Sequence, residues 1–220
     1  MPSISSDHYL KAIYNLGGEE SCVPMSHLAE ELSISVVSAN EMVRKLVKRG
    51  ALSYEPYKGV MLTPEGRAQA LAVTRRHRLW ERFLTDVLGL GWEQVHAEAC
   101  RLEHATSPLV EERLAEFLQW PETCPHGHVV PGPDGKVAQE VTQPLLELEA
   151  GQTAIVKSVP EDPELLRYLG KLGLVPGASV AVEAVEPFEG PLTVRVGEAQ
   201  YALGRKVASL VMVALPQDSG

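Results

Sequence analysis

The sequence predicts a mainly α-helical protein with a small β portion: a winged helix-turn-helix, a helical middle and a C-terminal SH3-like barrel. Three observations carry this. Apolar residues recur at helical spacing up to about residue 118, Pro and Gly crowd residues 121–144, and short β-branched runs follow from Leu145. With 45% hydrophobic and 22% charged residues among 220, the chain can fill one to three small cores. Its composition is neither collagen-like, disordered nor that of a disulfide scaffold.

Residues 6–16 place Tyr9, Leu10, Ile13, Tyr14 and Leu16 on one helical face, and Gly17-Gly18 ends the run. A short helical pattern covers 25–32, Ser33-Ile34 breaks it, and a third covers 36–49. There Val36, Ala39, Met42, Val43, Leu46 and Val47 form an apolar stripe, with Gly50 as a natural residue just past the helix end. Two β-prone runs, 51–55 and 60–62, flank a Pro56-Tyr57-Lys58-Gly59 turn. Helix, helix, turn, polar-faced helix and hairpin is the order of a winged helix-turn-helix. Thr63-Pro64 opens a long helix to about Leu88 by capping and first-turn rules. Further helices are expected over about 92–105 and from Ser107-Pro108 through Leu118. The β runs are 153–159, 179–185, 192–196, 200–203 and 210–214, interrupted by one helix, Pro163–Leu172. The expected domains are 1–73, 74–140, a linker at 141–150, and 151–220.

The formal charge of −9 argues at first against a polyanionic partner. Its distribution reverses that argument. Residues 1–34 carry −4, residues 35–76 carry +5 and the remainder carries −10. Screening limits the reach of distant charges to roughly 8 Å at physiological salt, so a cationic island can dock on phosphate. Near the start of the third helix, Ser35, Ser38, Asn40 and Glu41 are short hydrogen-bonding residues suited to base edges. Arg44, Lys45 and, at the hairpin tip, Lys58 are suited to phosphates.

Metal-ligating residues gather in the helical middle. His96, Cys100, Glu103 and His104 recur at i, i+4, i+7 and i+8, which puts all four on one helix face. His77 and Glu81 form an i, i+4 pair on the preceding helix, and the short Gly89–Gly91 break permits antiparallel packing. Two carboxylates buried together cost several kcal/mol each unless a cation compensates them. A compact Cys124-Pro125-His126 follows, with His128 beside it. His8, Glu161 and Asp162 are outlying candidates.

The segments R75-R76-H77-R78-L79-x-E81-R82-F83-L84-T85 and H96-A97-E98-A99-C100-R101-L102-E103-H104 resemble those of the diphtheria-toxin-repressor family of metal-dependent transcription regulators. The resemblance extends along nearly the whole chain. It implies a winged helix, a helical dimerisation and metal-binding domain, a flexible linker and an SH3-like (FeoA-like) domain. It also implies a homodimer that binds palindromic operator double-stranded DNA when loaded with Mn2+ or Fe2+, repressing metal-uptake genes. Other divalent transition metals would substitute in vitro. Residue by residue, the primary effector site maps to His8, Cys100, Glu103 and His104. A second site maps either to His77, Glu81 and His96 or to Glu81 with Cys124, His126 and a carboxylate from the SH3-like domain. Asp162 is the expected carboxylate, with Glu161 and Glu164 as competitors. The chain departs from the family at His8, where iron-type members usually have Met and manganese-type members often Asp. Lys11 stands where manganese members with a paired-metal centre have Glu. A thiolate with two imidazoles suits Fe2+, Co2+ or Zn2+ better than Mn2+ on softness.

Hydrolase and nucleotide-binding signatures such as G-x-S-x-G, H-E-x-x-H, a Walker loop or a dinucleotide fingerprint do not occur. The expectation is therefore a regulator and no enzyme. Its rivals are a winged-helix regulator with a purely structural metal, and a metal-dependent enzyme with an open coordination position. Three widely spaced cysteines argue for a reducing cytoplasm. No uncharged stretch approaches the ~18 apolar residues of a membrane helix, and no basic, then apolar leader opens the chain. The expected location is cytoplasmic, with no membrane partner.

Overall fold

In the computed structural model, residues 6–216 are described; the ends of the first and last expected domains, 1–5 and 217–220, lie outside them. The chain forms two compact units, 1–76 with 131–136, and 77–130 with 137–220.

The first unit contains α1 (Ser6–Asn15), α2 (Met25–Glu31), α3 (Val36–Lys48), β1 (Leu52–Glu55), β2 (Gly59–Leu62) and the start of α4 (Pro64–Asp86). Leu10, Ile13, Leu28, Val43, Leu46, Leu52 and Val60 are buried together in one core. Ser35 caps α3, its hydroxyl accepting from the Ser38 amide, and Arg49-Gly50 ends the helix, Gly50 at φ +80°. The strands pair antiparallel with Leu52 opposite Leu62, and Val23 bridges Val60 through two backbone hydrogen bonds. This fixes the hairpin against the segment before α2. Thr63 caps α4 by accepting from the Gly66 amide. Residues 131–136 return to α4, where the Arg75 guanidinium donates to the Pro131 carbonyl.

The second unit joins the helical middle to the barrel. Leu79, Leu84, Val95, Ala99, Leu114 and Ala115 are the buried apolar residues of α4, α5 (Val95–Leu102) and α6 (Pro108–Phe117). The helix expected over 92–105 is shorter at both ends. Residues 91–94 form a turn closed by the Gln94 amide on the Gly91 carbonyl, and Glu103 is the terminal cap residue. Ser107 caps α6, with Pro108 in its first turn, in line with the capping rules.

The barrel holds β3 (Gln143–Pro144), β4 (Thr153–Ser158), β5 (Ser179–Val185), β6 (Leu192–Val196), β7 (Ala199–Leu203) and β8 (Met212–Ala214) in the order β3-β8-β4-β5-β6-β7. A helix, α7 (Pro163–Leu172), follows β4, and a single turn, α8 (Arg205–Ala208), follows β7; α8 has no apolar period to announce it. Residues expected to be linker contribute structure instead. Gln143 and Pro144 pair with Val213 and Met212, while Leu145 and Leu148 are buried in the barrel core with Val156, Leu166, Leu169, Val182 and Val194. Each such fully buried aliphatic side chain contributes roughly 1.5–3 kcal/mol relative to an exposed one.

The loop carrying Cys124 and His126 is tied to the barrel. The Val159 amide donates to the His126 carbonyl, and Gly127 sits at φ +87° with its α-carbon against Lys157. A Cβ there would lie 1.8 Å from the Lys157 carbonyl oxygen. Gly127→Ala should therefore cost on the order of 1–3 kcal/mol through backbone strain, read as a lowered denaturation midpoint. An unchanged midpoint would show that the loop accommodates the methyl group.

Candidate metal centre and nucleic-acid interface

The donors converge in the second unit. His77 and Glu81 lie one turn apart on α4, His96 and Cys100 one turn apart on α5, and Cys124 and His126 on the loop fixed to β4. The barrel adds Glu161, just before α7. Glu81, His77, Cys124 and His126 are buried, whereas His96 is partly exposed.

Most of the contacts have the separations of atoms that share a cation, the His96–Glu161 ion pair being shorter. His77 Nε2 lies 3.0 Å from Glu81 Oε1 and 3.2 Å from His96 Nδ1. His96 Nδ1 lies 2.5 Å from Glu161 Oε2, and His126 Nδ1 lies 3.4 Å from Glu81 Oε1. Ligands bound at about 2.1 Å stand roughly 3.0–3.4 Å apart around one ion. Two overlapping quartets result, His77–Glu81–His96–Glu161 and Glu81–Cys124–His126–Glu161, each with its ligand atoms within 4.8 Å of one another. His77, His96 and Cys100 form a further group, with Cys100 Sγ 3.6 Å from His96 Nε2.

The imidazoles are held from behind. His77 Nδ1 is 2.6 Å from Glu103 Oε2, and His126 Nε2 donates to the Trp92 carbonyl at 2.7 Å. Each thereby turns its other nitrogen into the cluster, the arrangement that fixes tautomer and orientation in metal-ligating histidines.

Electrostatics set the same demand. Burial works against charge on His77, but hydrogen bonds with Cys100, Glu103 and Glu81 raise its pKa to about 10. Burial likewise opposes charge on His96, yet Cys100, Glu161 and Glu81 carry it to about 12. Against its burial, Glu81 is held well below the ordinary carboxylate range by His126, His77 and His96. Glu161 falls to about 2 beside His96 and His77, in spite of burial and the neighbouring Glu81 charge. Burial and the two carboxylates push the Cys124 thiol well up. The buried anions thus recruit protons onto the imidazoles. Glu81 Oε2 is nevertheless buried without a hydrogen-bond partner. The residues fit a divalent cation, which would take up that oxygen and replace the protons.

Most of the expected ligands fall here, with one correction. Asp162 does not face the cluster: as the cap of α7, its carboxylate accepts from the Glu164 and Leu165 amides, and Glu161 occupies the position expected of it. Glu164 lies exposed in the first turn of α7. His104 follows α5 and is exposed, its Nε2 3.3 Å from Glu103 Oε1. His8 is half-buried on α1 of the first unit. All three cysteines are free thiols.

On the first unit, Ser35, Ser38, Glu41, Arg44 and Lys45 are exposed on α3. Asn40 is less so, and its amide donates to the Val36 carbonyl. Lys58 is exposed on the hairpin and pairs with Glu55 at 2.9 Å. Two tyrosines not singled out from the sequence join this face. Tyr54 lines a groove with Asn40, Val43, Arg44, Val47 and Lys48, and Tyr57 stands fully exposed at the hairpin tip with φ +66°. An aromatic inside a Pro-Tyr-Lys-Gly turn was the available signal for Tyr57.

Similarity to known proteins covers three successive stretches of the chain. The family described as "Iron dependent repressor, N-terminal DNA binding domain" matches residues 3–60, "Iron dependent repressor, metal binding and dimerisation domain" matches 63–132, and "FeoA domain" matches 143–215. The iron-dependent repressor IdeR of Mycobacterium leprae is 37% identical over 223 residues, covering 95% of this chain and 96% of that protein. The diphtheria toxin repressor of Corynebacterium efficiens is 43% identical over 129 residues, 58% of this chain and 56% of that one. Among solved structures, a manganese-dependent transcriptional repressor in complex with manganese superposes with a TM-score of 0.90 at 34% identity, covering 96% of this chain and all of that chain. On this identity over nearly its whole length, the chain belongs to the diphtheria-toxin-repressor family of metal-dependent transcriptional repressors.

Proposed function

We propose that the protein is a Mn2+- or Fe2+-activated repressor that binds palindromic operator DNA as a homodimer in the cytoplasm and represses metal-uptake genes. The observation that carries this reading is Glu81. A fully buried carboxylate with one unpartnered oxygen, ringed by imidazoles and a thiol, asks for a cation in a chain that also carries an exposed cationic, polar-faced α3. Iron-dependent and manganese-dependent repressors among its relatives supply the two metals.

The effector set proposed from the family resemblance is His8, Cys100, Glu103 and His104. Glu81, Cys124, His126 and Glu161 form a second set, with His77 and His96 adjoining. The hydrogen bond that Glu103 Oε2 accepts from His77 Nδ1 supports a connection between the two sets. When bound, the metal supplies positive charge to these donors and favours the DNA-competent dimer over other arrangements, a population shift. Ser35, Ser38, Asn40 and Glu41 are assigned to base edges, Arg44, Lys45 and Lys58 to phosphates. No described helix is long and apolar enough to cross a membrane.

Chelation should abolish binding to a promoter fragment, and Mn2+ or Fe2+ should restore it, in an electrophoretic mobility assay. Equal affinity with and without chelator would leave the metal a structural role only. Glu103→Ala and His104→Ala should each remove metal-dependent binding while leaving the dimer intact by light scattering; wild-type-like activation in both would refute the effector assignment. Lys45→Ala should weaken binding to all sequences and lower the slope of log affinity against log salt by about one. An unchanged slope would remove Lys45 from the interface.

A further inference from the structure

Resting on the metal-dependent reading above, we propose that the cluster around Glu81 and Glu161 is a paired centre. It takes two divalent cations bridged by these two carboxylates, one held by His77 and His96 and the other by Cys124 and His126.

Glu161 carries the argument. Its two oxygens face different partners: Oε2 lies 2.5 Å from His96 Nδ1 and 3.9 Å from His77 Nε2, whereas Oε1 lies 3.9 Å from both His126 Nδ1 and His128 Nε2. A carboxylate serving one ion turns one edge to one set of co-ligands. A bridging carboxylate turns one oxygen to each of two sets, as here. Its span suits the ~3.5–4 Å separation of ions in two-metal sites.

Donor geometry gives the same count independently. The donors fall into two quartets that share both glutamates, and among the described residues no set within 4.8 Å unites the His77–His96 pair with the Cys124–His126 pair. Even trans ligands on one ion stand only about 4.2–4.6 Å apart at ordinary bond lengths. One cation therefore cannot collect both pairs, whereas two can. Glu81 lies at the junction: Oε1 is within 3.6 Å of His77, His96 and His126, and Oε2 is left without a partner.

Two carboxylates and a Cys124 thiolate would place three negative charges in a region where Glu81 and Cys124 are buried, a demand that divalent cations answer. Each half has one imidazole fixed from outside, His77 by Glu103 and His126 by Trp92. The two halves differ in softness, the thiolate half suiting the softer ion.

The test uses Co2+ on the full chain carrying His104→Ala, which disables the proposed effector set and leaves the cluster's own ligands in place. After gel filtration, cobalt per chain is counted by mass spectrometry, and electron paramagnetic resonance intensity per ion is recorded. The paired centre predicts about two ions per chain, with the signal quenched by exchange through the bridging carboxylates. Adding His96→Ala, or separately Cys124→Ser with His126→Ala, should each leave about one ion and restore full intensity. Because the halves are emptied independently, misfolding of one variant leaves the other to decide. One ion per chain in the His104→Ala protein, or two with an unquenched signal, overturns the proposal. DNA affinity of the wild-type chain with and without chelator is read in parallel. Metal-independent DNA binding refutes the functional reading, whereas metal-dependent binding with one uncoupled ion in the cluster refutes only the paired centre.

Discussion

Glu81 is a carboxylate in the middle of a long helix, sealed from water, and the second unit is organised around it. No hydrophobic argument places it there, since burying an anion is unfavourable by several kcal/mol unless it is compensated. Its surroundings supply that compensation from three separate segments: His77 one turn earlier on α4, His96 on α5 and His126 on the loop before the barrel, while Glu161 at the foot of α7 adds a second anion that the same imidazoles must offset. Remove the need to satisfy Glu81, and the short α5, the tight Cys124–Gly127 loop and the approach of the barrel lose their common purpose.

The supports lie one layer out. The Trp92 carbonyl is free to accept from His126 because the turn over residues 91–94 delays the start of α5. Trp80 donates to the Thr106 hydroxyl, which in turn donates to the Leu102 carbonyl and closes the far end of that helix. The first unit differs in character. Its main core cluster is apolar, although Lys11, Thr74 and Arg75 are also buried in this unit, and Ser35, Ser38, Glu41, Arg44 and Lys45 on α3 are exposed. The second unit concentrates buried acids and imidazoles, whereas α3 of the first displays its polar side chains.

Local rules made much of this legible in the sequence. The stripe from Val36 to Val47 ending at Gly50, the Thr63-Pro64 and Ser107-Pro108 starts, and the β-branched runs after Leu145 each correspond to an element, because caps, turns and periodicity are encoded within a few residues. The i, i+4 pairs on α4 and α5 were equally visible. What the chain brings together over long distances was not. The Trp92 carbonyl opposite His126 is a contact across 34 positions, and the pairing of Gln143 with Val213 absorbs an apparent linker into the sheet. Capping chemistry separates Asp162 from Glu161. An Asp immediately before a first-turn proline is a helix cap, so its carboxylate is committed to amides and the preceding residue is left to face the cluster.

The seam between the Cys124–Gly127 loop and the barrel has a consequence for how such a chain can change over generations. The Val159 amide on the His126 carbonyl, and the missing side chain at Gly127 against Lys157, join two stretches that a domain map would draw as separate modules. The barrel is therefore a poor candidate for loss, exchange or fusion as a unit, since excising it removes both Glu161 and the Val159 amide that anchors the His126 backbone. Insertions would be tolerated instead around Gly132–Lys136, where a tight turn closed by the Gly135 amide on the Gly132 carbonyl projects the exposed Pro133, Asp134 and Lys136.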